Sequence, residues 1–390
     1  MTLGRRRGRG GARPTARETE RHALATPPFE RRRRLAVPVL AALVLAVALL
    51  SATTGAVRVP FRQLVAVLVE PTGLALPWAG DEQQRAVLWA IRLPRIALAA
   101  LVGATLATAG AALQGMFRNP LADPGLIGVS SGASLAAVAV IVLGARLAGS
   151  AAVQVAGPLA TLLLPGAAFL GGLLATLGVL RLSRVGRGDG VPTDARSAAA
   201  TMLLCGIAVN AIAGAGIGLL VYLSTDQQLR DITFWSLGSV GGATWQAVAL
   251  ALPFALATLV GLPRLAPQLD LLLLGEAEAG HLGVRVERLK RWTMVLSALG
   301  VGAAVAFTGL IGFVGLVVPH LLRLAHGPGH ARLLRTAPLL GAALLMLADL
   351  VARTIVAPSE LPIGVVTAAI GGPFFLWLLL RERAGAGGGG

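Results

Sequence analysis

Three histidines and an arginine fall close together at His320, Arg323, His326 and His330, and metal binding is the first chemistry they raise. His326 and His330 are four residues apart, a spacing that lets one helical face present two imidazoles to zinc. Gly327-Pro328-Gly329 lies between them and breaks that face, and no carboxylate or thiolate stands nearby in the sequence to complete a ligand set. No metal site is expected. Cys205, the single cysteine, sits in an apolar run as a small hydrophobe. Lys290 is the sole lysine, and no G-x-x-x-x-G-K-[ST] precedes it, so a phosphate-cradling loop is missing. No H-E-x-x-H or nucleophile-base pair stands out either. The chain is expected to need no cofactor and to be no enzyme.

The remaining polar residues cluster at the ends of apolar runs. Arg92 and Arg95 flank Pro94, and Arg353 follows Asp349 by four residues, which makes Asp349 an intrahelical partner for Arg353. Any such arginine can also snorkel to the membrane interface. Between Gln114 and Gly128, two prolines, Asn119 and two charges form an ordered turn whose backbone groups need partners from protein or a wet cavity. Asn210, alone in an apolar run, either lines a polar path or hydrogen-bonds a neighbouring helix, the latter being the leading expectation.

These residues hang on a membrane scaffold. Of 390 residues 55% are hydrophobic and 13% charged, against about 25% charged in soluble domains. Mean hydropathy is +0.76. Apolar runs predict ten spans near 36–52, 95–115, 126–148, 157–181, 199–223, 245–263, 292–309, 311–325, 337–355 and 363–380. The net charge of +16 is placed to orient these spans. Eleven Arg against three Glu fill residues 1–34, and the loops 181–196, 264–291 and 323–335 are also Arg-rich. Both termini are therefore expected in the cytoplasm, with 53–92 and Thr225 to Thr244 outside as surface-lying pieces. The 1–34 tail lacks aromatic interleaving and reads as a disordered segment at a lipid surface, with no nucleic-acid role. Residues 35–381 form the membrane domain and 382–390 a Gly-rich flexible end.

Four long segments carry a specific resemblance. RLPR at Arg92 to Arg95, QGMFRNPLADPGLIGVSSGA at Gln114 to Ala133, GLIGFVGLVVPHLLRL at Gly309 to Leu324 and ELPIGVVTAAIGGPFFLWLL at Glu360 to Leu379 resemble the FecCD family. These are permeases of binding-protein-dependent ABC importers for iron-siderophores, haem and cobalamin, and the likeness spans about residues 36–381. It implies the type II importer fold, all-α with ten transmembrane helices. It also implies a homodimer or pseudo-symmetric heterodimer in the plasma membrane, two ABC ATPase subunits below and an extracytoplasmic solute-binding protein above. Iron-siderophore is the leading cargo, with haem or cobalamin as alternatives.

The resemblance also assigns residues. Arg92, Arg95 and Arg353 match arginines that receive acidic groups of the binding protein, and Asn119, Pro120 and Leu121 match the cytoplasmic gate. The segment 263–291 matches the ATPase-coupling region. There Gly275, Glu276, Ala279, Leu282 and Gly283 are the expected contact residues, on a short helix capped by Gly283 that presents Glu276 to its partner. An ion-coupled secondary transporter would instead concentrate ionisable groups in mid-membrane, where the predicted spans hold almost none.

Overall fold

The computed structural model describes residues 28–55, 57, 59–73, 78, 81–147, 158–185 and 195–387. Among them the chain is helical and contains no strand. The main helices are α1 (Pro28–Thr53), α2 (Phe61–Val69), α3 (Glu82–Met116), α4 (Val129–Leu147), α5 (Pro158–Val185), α6 (Ala195–Tyr222) and α7 (Asp226–Leu237). They continue with α8 (Trp245–Arg264), α9 (Ala266–Leu272), α10 (Glu276–His281), α11 (Val286–Thr308), α12 (Val314–His326), α13 (His330–Ala352) and α14 (Ile363–Gly387). Among the described residues seven helices are long and apolar enough to cross a bilayer, and α4, α12 and α14 supply three shorter apolar ones. Each of the ten expected spans is thus met by a helix.

Helix ends differ from the apolar runs. α1 begins at Pro28 rather than Leu35, α11 at Val286 and α13 at His330, because hydropathy marks the lipid-facing part while backbone hydrogen bonding continues through Arg-bearing first turns. Of the expected N-terminal tail, residues 1–27 lie outside the described residues, and α14 runs on to Gly387 through part of the expected Gly-rich end. The two stretches expected to lie on the surface contain α2 and α7. α7 opens with a capping box in which Thr225 Oγ1 accepts the Gln228 N–H and Gln228 Oε1 accepts the Thr225 N–H.

Close backbone contact holds the bundle together. A Cβ on Gly103 of α3 would strike the carbonyl of Gly341 on α13, one on Gly110 that of Gly315 on α12, and one on Gly132 of α4 that of Gly171 on α5. Small residues permit this approach in a bilayer, where apolar side chains alone give no preference for helix over lipid. α3 is buried almost all round from Val102 to Met116. α6 is its opposite. Only 11% of its apolar window is buried, and Leu204, Ile207, Ile212 and Leu219 stand exposed on this single subunit.

α3 is not α-helical throughout. Val87–Arg92 forms a π-helical turn in which the Leu93 N–H reaches back to the Leu88 carbonyl. Pro94 follows it and has no N–H to offer the preceding turn, so the wider turn leads into the α-helix that carries Arg95.

Candidate functional sites at the two ends of the bundle

At one end of the bundle Arg92, Arg95 and Arg353 converge on an open cavity of about 760 Å³, lined also by Thr53, Gly55, Pro358 and Glu360. None of the three arginines projects freely into solvent. Arg92 is 4% exposed and donates from Nη1 to the Ala52 carbonyl at 2.6 Å and from Nη2 to the Val57 carbonyl. Arg95 donates to Asp349 from Nε at 2.9 Å and Nη2 at 2.8 Å, and from Nη1 to Glu360 at 2.9 Å. Arg353 donates from Nη2 to the carbonyl and hydroxyl of Ser51, and its Nε lies 3.8 Å from Asp349. The expected intrahelical pairing of Asp349 with Arg353 is therefore secondary. The fork of Arg95, arriving from α3, takes the carboxylate because a planar guanidinium matches it bidentately.

Three arginines face two carboxylates here, so the cavity keeps an excess of one positive charge. Glu360, its side chain 46% exposed, is the group at the mouth. Glu360 is not among the residues to which the resemblance assigns a role. Its signal was available, since Asp349 and Glu360 are the only acids between His330 and Leu380, and acids within apolar sequence need cationic partners.

At the opposite end, the loop after α3 is held by its own backbone and by Asn119. The Asn119 N–H donates to the Gln114 carbonyl at 3.1 Å, and Asn119 Oδ1 accepts the Leu121 N–H at 2.9 Å. Pro120 is exposed at the tip and Leu121 is half-buried. Arg118 takes φ +50°, which starts the tight reversal. Desolvation pushes the Asp123 carboxyl above the usual range, opposed by the Gly125 N–H that it accepts at 2.8 Å. Asn210 bonds Ser131 at 2.5 Å and the Gly125 carbonyl at 3.2 Å, tying α6 to this turn as a packing residue.

α10 lies at the same end. Gly283, at φ +88°, closes it with the paired bonds Gly283 N–H to Gly280 and Val284 N–H to Ala279. Ala279 is buried and Gly275, at φ +133°, starts the helix. Glu276 is turned inward, contrary to expectation. It accepts from Lys290 Nζ at 2.6 Å with side chains 11% and 2% exposed, because the only lysine of the chain is buried beneath α10 and requires a counter-charge. α10 itself exposes Ala277, Glu278, Gly280 and His281, and the segments that flank it expose Leu273, Leu274 and Leu282.

His326 and His330 end and begin different helices, as Gly327-Pro328-Gly329 requires. The expectation that no carboxylate lies near them fails in space. Asp270 of α9 reaches His330 at 2.8 Å, a pairing across sixty positions that linear spacing does not reveal.

Residues 43–381 match the FecCD transport family. The chain belongs to that family. It is 44% identical over 357 residues to the hemin transport system permease of Yersinia pestis, covering 90% of this chain and 96% of that one. It is 40% identical over 349 residues to the cobalamin import system permease of Halobacterium salinarum, covering 90% and 86%. A metal-chelate type ABC transporter solved in an inward-facing conformation superposes with a TM-score of 0.71 at 31% identity, covering 88% of this chain and 98% of its own. As a FecCD protein the chain is the multi-pass permease of an ABC importer, and its two polar ends belong to one translocation subunit.

Proposed function

We propose that this permease passes a bulky metal chelate inward, delivered by a solute-binding protein at the arginine-lined end and driven by ATPase subunits at the α10 end. The observation that carries this is the polarity of the bundle: a cavity with excess positive charge at one end and a short helix flanked by exposed leucines at the other. The first suits an acidic partner surface. The second suits an apolar cleft, with Leu274 and Leu282 inserting where Glu276 was expected. Gly275 and Gly283 bound the helix that Leu274 and Leu282 flank, and Ala279 seats it. Asn119, Pro120 and Leu121 form the gate, with both termini and the Arg-rich loops on the cytoplasmic side. A second subunit covers the exposed face of α6.

Haem is the first cargo to test, because the relative matched over nearly its full length bears that name. Ferric siderophore, the leading expectation from sequence, and cobalamin belong to the same class of large, planar or cage-like chelates. The test is titration of the cognate binding protein with hemin, a ferric hydroxamate and cyanocobalamin. One of them is expected to bind with Kd at or below about 1 μM, roughly 8 kcal/mol. Tight binding of a sugar or amino acid instead would overturn the cargo class.

A further inference from the structure

The end of α3 carries two adjacent residues that face different neighbours. The Gln114 carbonyl accepts the Asn119 N–H, its Nε2 donates to the Gly315 carbonyl of α12 at 3.1 Å, and its Oε1 accepts from Arg323 Nη1 at 2.5 Å. Gly115, next in sequence, packs against the ring of His330: a Cβ there would collide with Nε2. His330 is 1% exposed, and that Nε2 has no hydrogen-bond partner. Its other nitrogen faces Asp270. Asp270 Oδ1 accepts the ring Nδ1–H at 2.8 Å and the His330 backbone N–H at 2.7 Å, so one carboxylate oxygen both caps the start of α13 and orients the imidazole. Asp270 itself sits on α9, and only Leu273, Leu274 and Gly275 separate α9 from α10.

A contiguous line of contacts therefore runs from α10 through α9, Asp270, His330 and Gly115 to Gln114 and Asn119. Its central link, the His330 imidazole, is tightly held. The imidazole is held on one edge by Asp270 and pressed on the other against a backbone that lacks even a methyl group of clearance. A shift of α9 must move the end of α3 or break the Asp270 contacts, because packed interiors switch between arrangements rather than stretch.

We propose that Asp270 and His330 are positioning residues of transport, forming the joint through which movement of α10 reaches the loop at Asn119 to Leu121. This rests on α10 as the ATPase-facing element and on that loop as the gate. Gly115 serves as the bearing surface, and the Gln114–Arg323 contact holds the far side of α3 against α12.

The test uses the complete permease–ATPase complex in nanodiscs, with Cys205→Ser and a reporter cysteine at Leu121→Cys. The readout is the rate of modification by a charged maleimide, without nucleotide and with ATP plus vanadate, measured beside ATP hydrolysis. Nucleotide is expected to change the rate in this background. Asp270→Ala and His330→Ala are expected to remove most of that change while hydrolysis continues, coupling between sites typically being worth about 5–150-fold. Asp270→Asn, which retains Oδ1 as an acceptor, should restore it. Gly115→Ala displaces the ring without touching the cap and reads the same joint should either alanine variant fail to assemble. A labelling rate indifferent to nucleotide before any joint substitution would reject the gate itself. A full nucleotide response in Asp270→Ala, His330→Ala or Gly115→Ala would reject the joint.

Discussion

Arg95 and Asp349 clasp α3 to α13, with Nε and Nη2 of the guanidinium donating to one carboxylate at 2.9 and 2.8 Å, in side chains only 8% and 2% exposed. The contact joins an arginine expected to receive a binding protein to an acid expected to orient a different arginine. It makes Arg95 a structural residue as well as part of the cavity wall.

Removing one partner of a buried pair costs about 3–5 kcal/mol, because the other charge is left without compensation. Asp349→Ala is therefore expected to lower the thermal transition in detergent markedly, and Asp349→Asn, which keeps an acceptor, to lower it less. Equal transitions for Asp349→Ala and the unaltered protein would show that Glu360 and Ser51 suffice to hold the arginines.

Glu360 is the clean probe of docking, because it sits at the mouth and its loss leaves Arg95 still paired with Asp349. Glu360→Gln raises the excess positive charge of the cavity. Association of the binding protein with nanodisc-bound permease should quicken by up to about fivefold at low salt, an exposed pair being worth about 0–1 kcal/mol. The gain should shrink as salt is raised, since rim charges act mainly through steering. An on-rate that slows or stays flat across the salt series would argue against an acidic partner at this end.

Lys290 and Glu276 test whether the pair under α10 is a strut or a contact. Lys290→Met alone strands Glu276 and is expected to destabilise by about 3–5 kcal/mol, whereas Lys290→Met with Glu276→Met should recover most of it, since apolar replacement of both partners is often neutral. Thermal transitions of the unaltered protein, both single variants and the double variant settle the matter. A double variant as unstable as the single one would mean that the pair does more than neutralise buried charge.

At the exposed leucines the expectation is different in kind. Leu274→Glu with Leu282→Glu should leave the thermal transition of the permease within about 0.5 kcal/mol equivalent, as surface changes generally do, yet abolish co-purification with the ATPase subunits. Undiminished co-purification would move the ATPase contact elsewhere.

Much of this molecule could be read from its residues in order. Runs such as Leu35 to Ala52 announce spans because a bilayer demands length and apolarity of each segment by itself, and the Gly283 cap follows from local backbone geometry. What stayed hidden is what depends on distant parts meeting. Asp270 with His330, Gln114 with Arg323 and Arg95 with Asp349 pair across sixty to over two hundred and fifty positions, and no local pattern marks them. The inward turn of Glu276 is a further case. On an isolated amphipathic helix it belongs outside, and only the burial of Lys290 on α11 turns it in.

The central claim is that this chain is the permease of an ATP-driven importer, and reconstitution tests it most directly. Proteoliposomes containing the permease with its cognate ATPase subunits, supplied with hemin-loaded binding protein outside, should accumulate hemin only when ATP is enclosed and only when all three components are present. Hemin accumulation by the permease alone, driven by an imposed proton or sodium gradient without ATPase subunits, would contradict the account.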